Sequence, residues 1–144
     1  LIKAFPGAKD LLTELNARKV LIAIVSNKGV AAVKTALERN GLDGYVPEDL
    51  IIGDKTPGAK RKPDPASFVD VLVPVLKEKY GVEEIDSGKV LVVGDTVADV
   101  QFATNIKSKV CWCRYGYGDR EACQELKPDF VVDSLGEVVG IVKA

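Results

Sequence analysis

Asp95 and Asp99 stand four residues apart in Gly94-Asp95-Thr96-Val97-Ala98-Asp99, directly after the run at 89–93, which is apolar beyond Lys89. That spacing is about one helical turn, so both carboxylates face the same way. Two converging carboxylates make a hard-oxygen site suited to Mg²⁺. A helix cap followed by a first-turn acid has the same appearance. Ser26 and Asn27 follow a second apolar run, 20–25. A hydroxyl and an amide at a helix entrance, with free N–H groups and the dipole behind them, favour phosphate. The same residue types are also ordinary caps. Lys62 stands in Lys62-Pro63-Asp64-Pro65. Its prolines stiffen the chain beside an ammonium that can act as a point charge for phosphate. Neighbouring Lys55, Lys60 and Arg61 equally suit a solvated charge run. Residues 53–60 lack the Gly-Lys-Ser/Thr ending of a nucleotide-binding loop, which excludes that reading.

The elements that must position these residues alternate between strand and helix. Leu11, Leu12 and Leu15 mark one face of a helix that opens at Pro6-Gly7 and ends near Arg18. Residues 20–25 read as a strand buried on both faces. A helix is expected over 30–40, a short strand over 50–52, and a loop over 55–65. Residues 66–79 read as a helix that Pro74 should kink or split. Strands follow at 89–93 and 109–113, separated by a helix near 97–105. A Gly/Tyr loop at 115–118, a short helix at 119–126, a strand at 130–132 and a helix at 135–142 complete the order. Strands separated by helices of this length imply right-handed crossovers and a parallel sheet covered on both faces. The fold class is a doubly wound, Rossmann-like α/β domain. Ligands in such folds bind beyond the carboxyl ends of the strands, where all five residues fall.

Composition narrows the chemistry. The chain of 144 residues suits one domain; it is 47% hydrophobic with a net charge of −1. That charge supplies no field for nucleic acid or an anionic membrane, and no apolar run approaches a membrane span. We therefore expect neither partner. There is no histidine, which removes Ser-His-Asp and Cys-His catalysis and the commonest zinc ligand. Cys111, Cys113 and Cys123 read as reduced residues packed in or near a strand of a cytoplasmic protein. The chain opens on Leu1 and contains no methionine. A fragment is the expectation.

The order strand–Ser26, Lys62-Pro63, strand–Gly94-Asp95-x-x-x-Asp99 resembles the haloacid dehalogenase superfamily, in its phosphoglycolate-phosphatase-like branch. Pro6-Gly7, Ile24-Val25-Ser26-Asn27-Lys28, Lys62-Pro63-Asp64-Pro65 and residues 93–99 carry the likeness. Tyr115-Gly116-Tyr117-Gly118 looks like that branch's late glycine-rich loop, and Pro128-Asp129-Phe130-Val131-Val132 like its last strand. The resemblance implies a Mg²⁺-dependent phosphatase of a small phosphorylated metabolite, working through an aspartyl-phosphate. It implies that Ser26 hydrogen-bonds the phosphoryl oxygens, with Asn27 assisting through its backbone N–H. Lys62 would offset the charge, and Asp95 would ligate Mg²⁺. Asp99 would hold a metal-bound water or orient Lys62. A phosphomutase shares these elements. A catalytically silent module that binds a phosphorylated ligand or a protein is the other alternative.

The family's first motif, Asp-x-Asp-x-Thr/Val, is not found in residues 1–144. The resemblance places it upstream, together with a helical cap domain. The nucleophile, the general acid–base and further Mg²⁺ ligands would then lie outside this core-domain fragment, which alone should be inactive. It also implies that the missing strand sits at the centre of the sheet, between the strands ending at Ser26 and Asp95. An upstream segment or another chain is expected to complete the sheet.

Overall fold

The computed structural model describes residues 8–85, 89–116 and 118–141. Pro6, Gly7 and Tyr117, named above, lie outside the described residues. The elements in chain order are α1 (Ala8–Ala17), β1 (Ile24–Val25), α2 (Val30–Arg39) and β2 (Ile51–Ile52), then α3 (Val73–Lys79). They continue with β3 (Leu91–Gly94), α4 (Val97–Asn105), β4 (Lys109–Cys113), α5 (Arg120–Glu125), β5 (Phe130–Val132) and α6 (Val138–Ile141). The fold is α/β, and every strand pairing is parallel. No helix among the described residues is long and apolar enough to cross a membrane.

The strands form two sheets, β1-β2 and β3-β4-β5. Among the described residues no ladder joins β1 to β3, the two strands whose ends carry Ser26 and Asp95. Burial follows this division. The four residues 110–113 of β4, between two partners, are all buried, and so are both residues of β2. The residues of β1 are only half-buried, and β3 includes Val93 at 40% exposure. Leu21, just before β1, is 51% exposed. Fully apolar strands that remain open on one side are the reverse of what a central position in a finished sheet would give.

Alternation along β4 sorts the core into layers. Cys111 and Cys113 face Leu11 and Leu15 of α1 and Val138 of α6. Val110 and Trp112 face Val100 and Ala103 of α4 and Cys123 of α5. Apolar contact spans the division between the sheets. Val25 of β1 and Val92 of β3 pack against one cluster of Phe68, Phe102 and Ile106.

Two local expectations are revised. The strand expected over 20–25 is regular only at Ile24–Val25, since its hydrogen bonds reach one neighbour alone. The disruption expected at Pro74 takes the form of a change of helix type just before it. A π-helical segment, Ser67–Leu72, runs directly into α3 with Pro74 in its first turn. The wider turn rearranges the carbonyls that would otherwise look to the missing Pro74 N–H.

The backbone of Val90 accepts from the amide of Lys109 on β4. Parallel-strand alternation therefore turns the amides of Leu91 and Val93 toward the open side of β3. Hydrogen exchange on this chain should find Leu91 and Val93 far less protected than Cys111 and Cys113 on β4. Equal protection would show that the inner edge of β3 is covered.

Candidate phosphate-binding site

The strands within each sheet are parallel, so each sheet has all its carboxyl ends at one end. Ser26 and Asn27 follow β1, Gly53 and Asp54 follow β2, and Asp95 follows β3. The Ser26 amide donates to the carbonyl of Ile52, extending the β1-β2 pairing by one bond (2.9 Å). Its Oγ accepts from the amide of Lys28 (3.0 Å). The N-cap of α2 is Gly29, without a side-chain cap bond, so neither Ser26 nor Asn27 is the cap.

Lys62 reaches across to the other sheet. Its Nζ lies 2.5 Å from Oδ1 of Asp99, and the two side chains are 16% and 9% exposed. Asp99 Oδ2 accepts from the amides of Asp95 and Thr96 (3.1 Å each) and from Thr96 Oγ1 (2.8 Å). Thr96 is the N-cap of α4, and Asp99 completes a capping box with it. The capping explanation of Asp99 therefore holds, and the lysine pairing is added to it. Burial opposes ionisation of Asp99, but the Lys62 ammonium and the Thr96 donors outweigh it and hold the carboxyl below its usual value.

Asn27 joins the same network. Its Oδ1 accepts from the backbone amide of Lys62 (2.8 Å). Arg61, beside it, donates from Nη2 to the Asn27 carbonyl and from Nε to Asp54 Oδ1 (3.3 Å each). The site is thus one connected set, Asn27–Lys62–Asp99–Asp95, with Ser26 next to Asn27 in the chain.

Glycines allow the carboxylates to sit where they do. A Cβ on Gly94 would collide with the side chain of Asp99, and a Cβ on Gly116 with that of Asp95. The late Gly/Tyr loop therefore closes directly on Asp95, a contact that its position in the sequence did not indicate. Beneath the site, burial pushes the Cys111 thiol up to about 12 and raises that of Cys113. All three cysteines are free and buried, as neutral thiols of the core.

The donor set for a divalent cation is incomplete. Among the described residues no group of three or more His, Cys, Asp or Glu side chains could hold a metal ion. Both Asp99 oxygens are already engaged by protein donors, and Asp95 is the other carboxylate at this strand end.

The folded-state value of Asp99 lies below the unfolded one. Its contribution to stability is therefore present above the unfolded carboxyl value and is lost as pH falls through the folded one. In metal-free buffer, Asp99→Asn should cost about 3 kcal/mol at pH 7, the low end for breaking a buried pair. Urea unfolding should show wild type and variant converging below about pH 4. A difference that persists into acid would show that the ion pair is not its source.

The profile of the family described as "Haloacid dehalogenase-like hydrolase" matches residues 1–113. A phosphoglycolate phosphatase of Vibrio parahaemolyticus is 33% identical over 138 residues, spanning 96% of this chain and 56% of the relative. One of Cupriavidus necator is 33% identical over 131 residues, 91% of this chain and 52% of the relative. The chain thus spans little more than half the length of these relatives. A crystal structure of a predicted phosphoglycolate phosphatase from Haemophilus somnus superposes with a TM-score of 0.79 at 26% identity, over 96% of this chain and 57% of that one. A haloacid dehalogenase-like hydrolase from Streptococcus pneumoniae shares the fold, with a TM-score of 0.74 at 21% identity over 96% of this chain and 60% of that one. With its alternating α/β order and its linked strand-end residues, this chain belongs to the haloacid dehalogenase-like hydrolase family.

Proposed function

We propose that the intact protein is a cytoplasmic phosphatase of a small phosphorylated metabolite, phosphoglycolate being the first substrate to test. The observation that carries this reading is the Lys62 ammonium, held at 2.5 Å by Asp99 beyond the strand ends. A cation fixed in a largely buried position by its own counter-ion is preorganised for the charge of a transferring phosphoryl group. Ser26 supplies a hydroxyl donor on the neighbouring strand end. The names of the relatives support the substrate class.

The nucleophile is assigned to an aspartate outside residues 1–144. Its carboxylate oxygen attacks phosphorus, the phosphorus–ester oxygen bond breaks, and the departing oxygen takes a proton from a second aspartate. Water then hydrolyses the aspartyl-phosphate. Ser26 and Lys62 hold the phosphoryl oxygens through both steps. Asp99 orients Lys62 instead of touching substrate, since its oxygens are taken by Lys62 and three donors around Thr96. Mg²⁺ would neutralise phosphate charge, with Asp95 as one ligand and the others from beyond the described residues.

The open side of β3 and the half-buried β1 support placing the missing strand between them. Such a strand would point its carboxyl end at the same site. Chain 1–144 alone is then expected to be inactive, and the longer protein active.

Four measurements test the reading. The longer protein should release inorganic phosphate from phosphoglycolate in the presence of Mg²⁺. An isomeric phosphate product would identify a mutase, and no turnover of any phosphate monoester would identify a silent binding module. Lys62→Ala should lower kcat/KM by roughly 10²-fold or more, the effect of deleting one preorganised charge worth about 3 kcal/mol. Asp95→Asn should weaken Mg²⁺ dependence by at least an order of magnitude; unchanged dependence would remove it from the metal site. Hydrogen exchange of Leu91 and Val93 should slow when the upstream segment is present, and unchanged exchange would reject the strand placement.

A further inference from the structure

The resemblance implies a role for the backbone N–H of Asn27, which leaves its side chain unexplained. The Oδ1 of that side chain accepts the backbone N–H of Lys62 at 2.8 Å. On the far side of the same dipeptide, Asn105 Nδ2 donates to the carbonyl of Pro63 at 2.7 Å. Each amide has a backbone partner of only one kind, so both orientations are settled by chemistry: an N–H needs an acceptor, a carbonyl a donor.

These two residues come from opposite halves of the molecule. Asn27 belongs to the turn between β1 and α2, on the two-stranded sheet. Asn105 is the last residue of α4, which packs on the three-stranded sheet. Asn105 is also eleven residues past Gly94 and outside every motif, exposed on the surface. Yet it grips the residue next to Lys62, while α4 at its other end carries Asp99. The loop at 61–64 therefore spans the division between the sheets. The Lys62 amide and the Arg61 guanidinium tie it to the β1-β2 side, and the Pro63–Asn105 and Lys62–Asp99 bonds tie it to the β3 side.

We propose that Asn27 and Asn105 are positioning residues that clamp the Lys62-Pro63 backbone from two sides and so set where the ammonium stands. Asp99 alone fixes only the tip of a long, flexible side chain. Fixing the backbone removes the remaining freedom, and small displacements of a charge at a reacting centre are expensive in rate. The catalytic meaning of the clamp rests on the phosphatase reading; its structural meaning does not.

The test is competitive acylation of lysines on the intact protein, read site by site by mass spectrometry. In wild type, Lys62 should react more slowly than Lys55 and Lys60, being largely buried and ion-paired. Asn27→Ala and Asn105→Ala should each raise the Lys62 rate roughly fivefold, the factor that one ordinary hydrogen bond represents, and leave Lys55 and Lys60 unchanged. Conservative variants sharpen the test. Asn27→Asp keeps an acceptor and should restore slow labelling, whereas Asn105→Asp removes the donor and should label as fast as Asn105→Ala. In the phosphatase assay both alanine variants should lose about tenfold in kcat. Unchanged Lys62 labelling in the alanine variants, a rise shared by all lysines, or slow labelling of Asn105→Asp would overturn the clamp. Absence of turnover in wild type would instead overturn the phosphatase reading, with the labelling pattern still deciding the clamp.

Discussion

The ion pair between Lys62 and Asp99 is the interaction on which the site depends. Lys62 comes from the loop that follows β2 and Asp99 from the first turn of α4, and each is buried enough that an unpaired charge would be costly. Asp99 also closes the capping box that starts α4, so helix, carboxylate and ammonium are fixed together. A single carboxylate thus serves local structure and charge placement at once. Gly94 is required for that arrangement, because any side chain there would occupy the space of the Asp99 carboxylate.

Around this pair the molecule is built in two halves. The apolar cluster of Phe68, Phe102 and Ile106 holds Val25 and Val92 across the division, below the polar network. Above it, the loop at 61–64 makes the polar connections. Non-directional packing keeps the halves in contact, but it does not set the distance between a hydroxyl on one and a carboxylate on the other. Directional hydrogen bonds do. Among the described residues no strand ladder joins the two halves, so β1 and β3 are linked by side chains and by the loop at 61–64.

The separation between Asp95 and Asp99 shows how alike residues can diverge in role. Both are carboxylates at one strand end. Asp99 has its oxygens saturated by Lys62, Thr96 and the Asp95 amide, whereas the side chain of Asp95 lies against the Gly/Tyr loop. The first is an internal brace, and the second is fitted to the loop that follows β4. Burial opposes the charge of Asp99, but the Lys62 ammonium first, and then the hydrogen bonds from Lys62 and Thr96, keep it ionised.

Much of this was legible in the residues themselves. Short apolar runs rich in valine and isoleucine before Ser26 and Asp95 read as strands of a parallel sheet, because helical patterns and turns fill the intervals. The order Ser26, Lys62, Asp95, Asp99 then placed the candidates at one end of that sheet. Strand limits were less legible, since the apolar run at 20–25 continues beyond the point where β1 has a partner. The π-helical segment before Pro74 was not legible either, because a proline announces a missing N–H but not how the carbonyls rearrange. Asn105 carries no sequence signal at all; an exposed asparagine at a helix end is ordinary until the Pro63 carbonyl is seen beside it. Sequence by itself determined the alternating elements and the chemical types at the strand ends, since periodicity and turn residues are local properties. Only the tertiary structure decided which polar atoms meet across the two sheets, because hydrogen bonds depend on distances of tenths of an ångström between segments far apart in the chain.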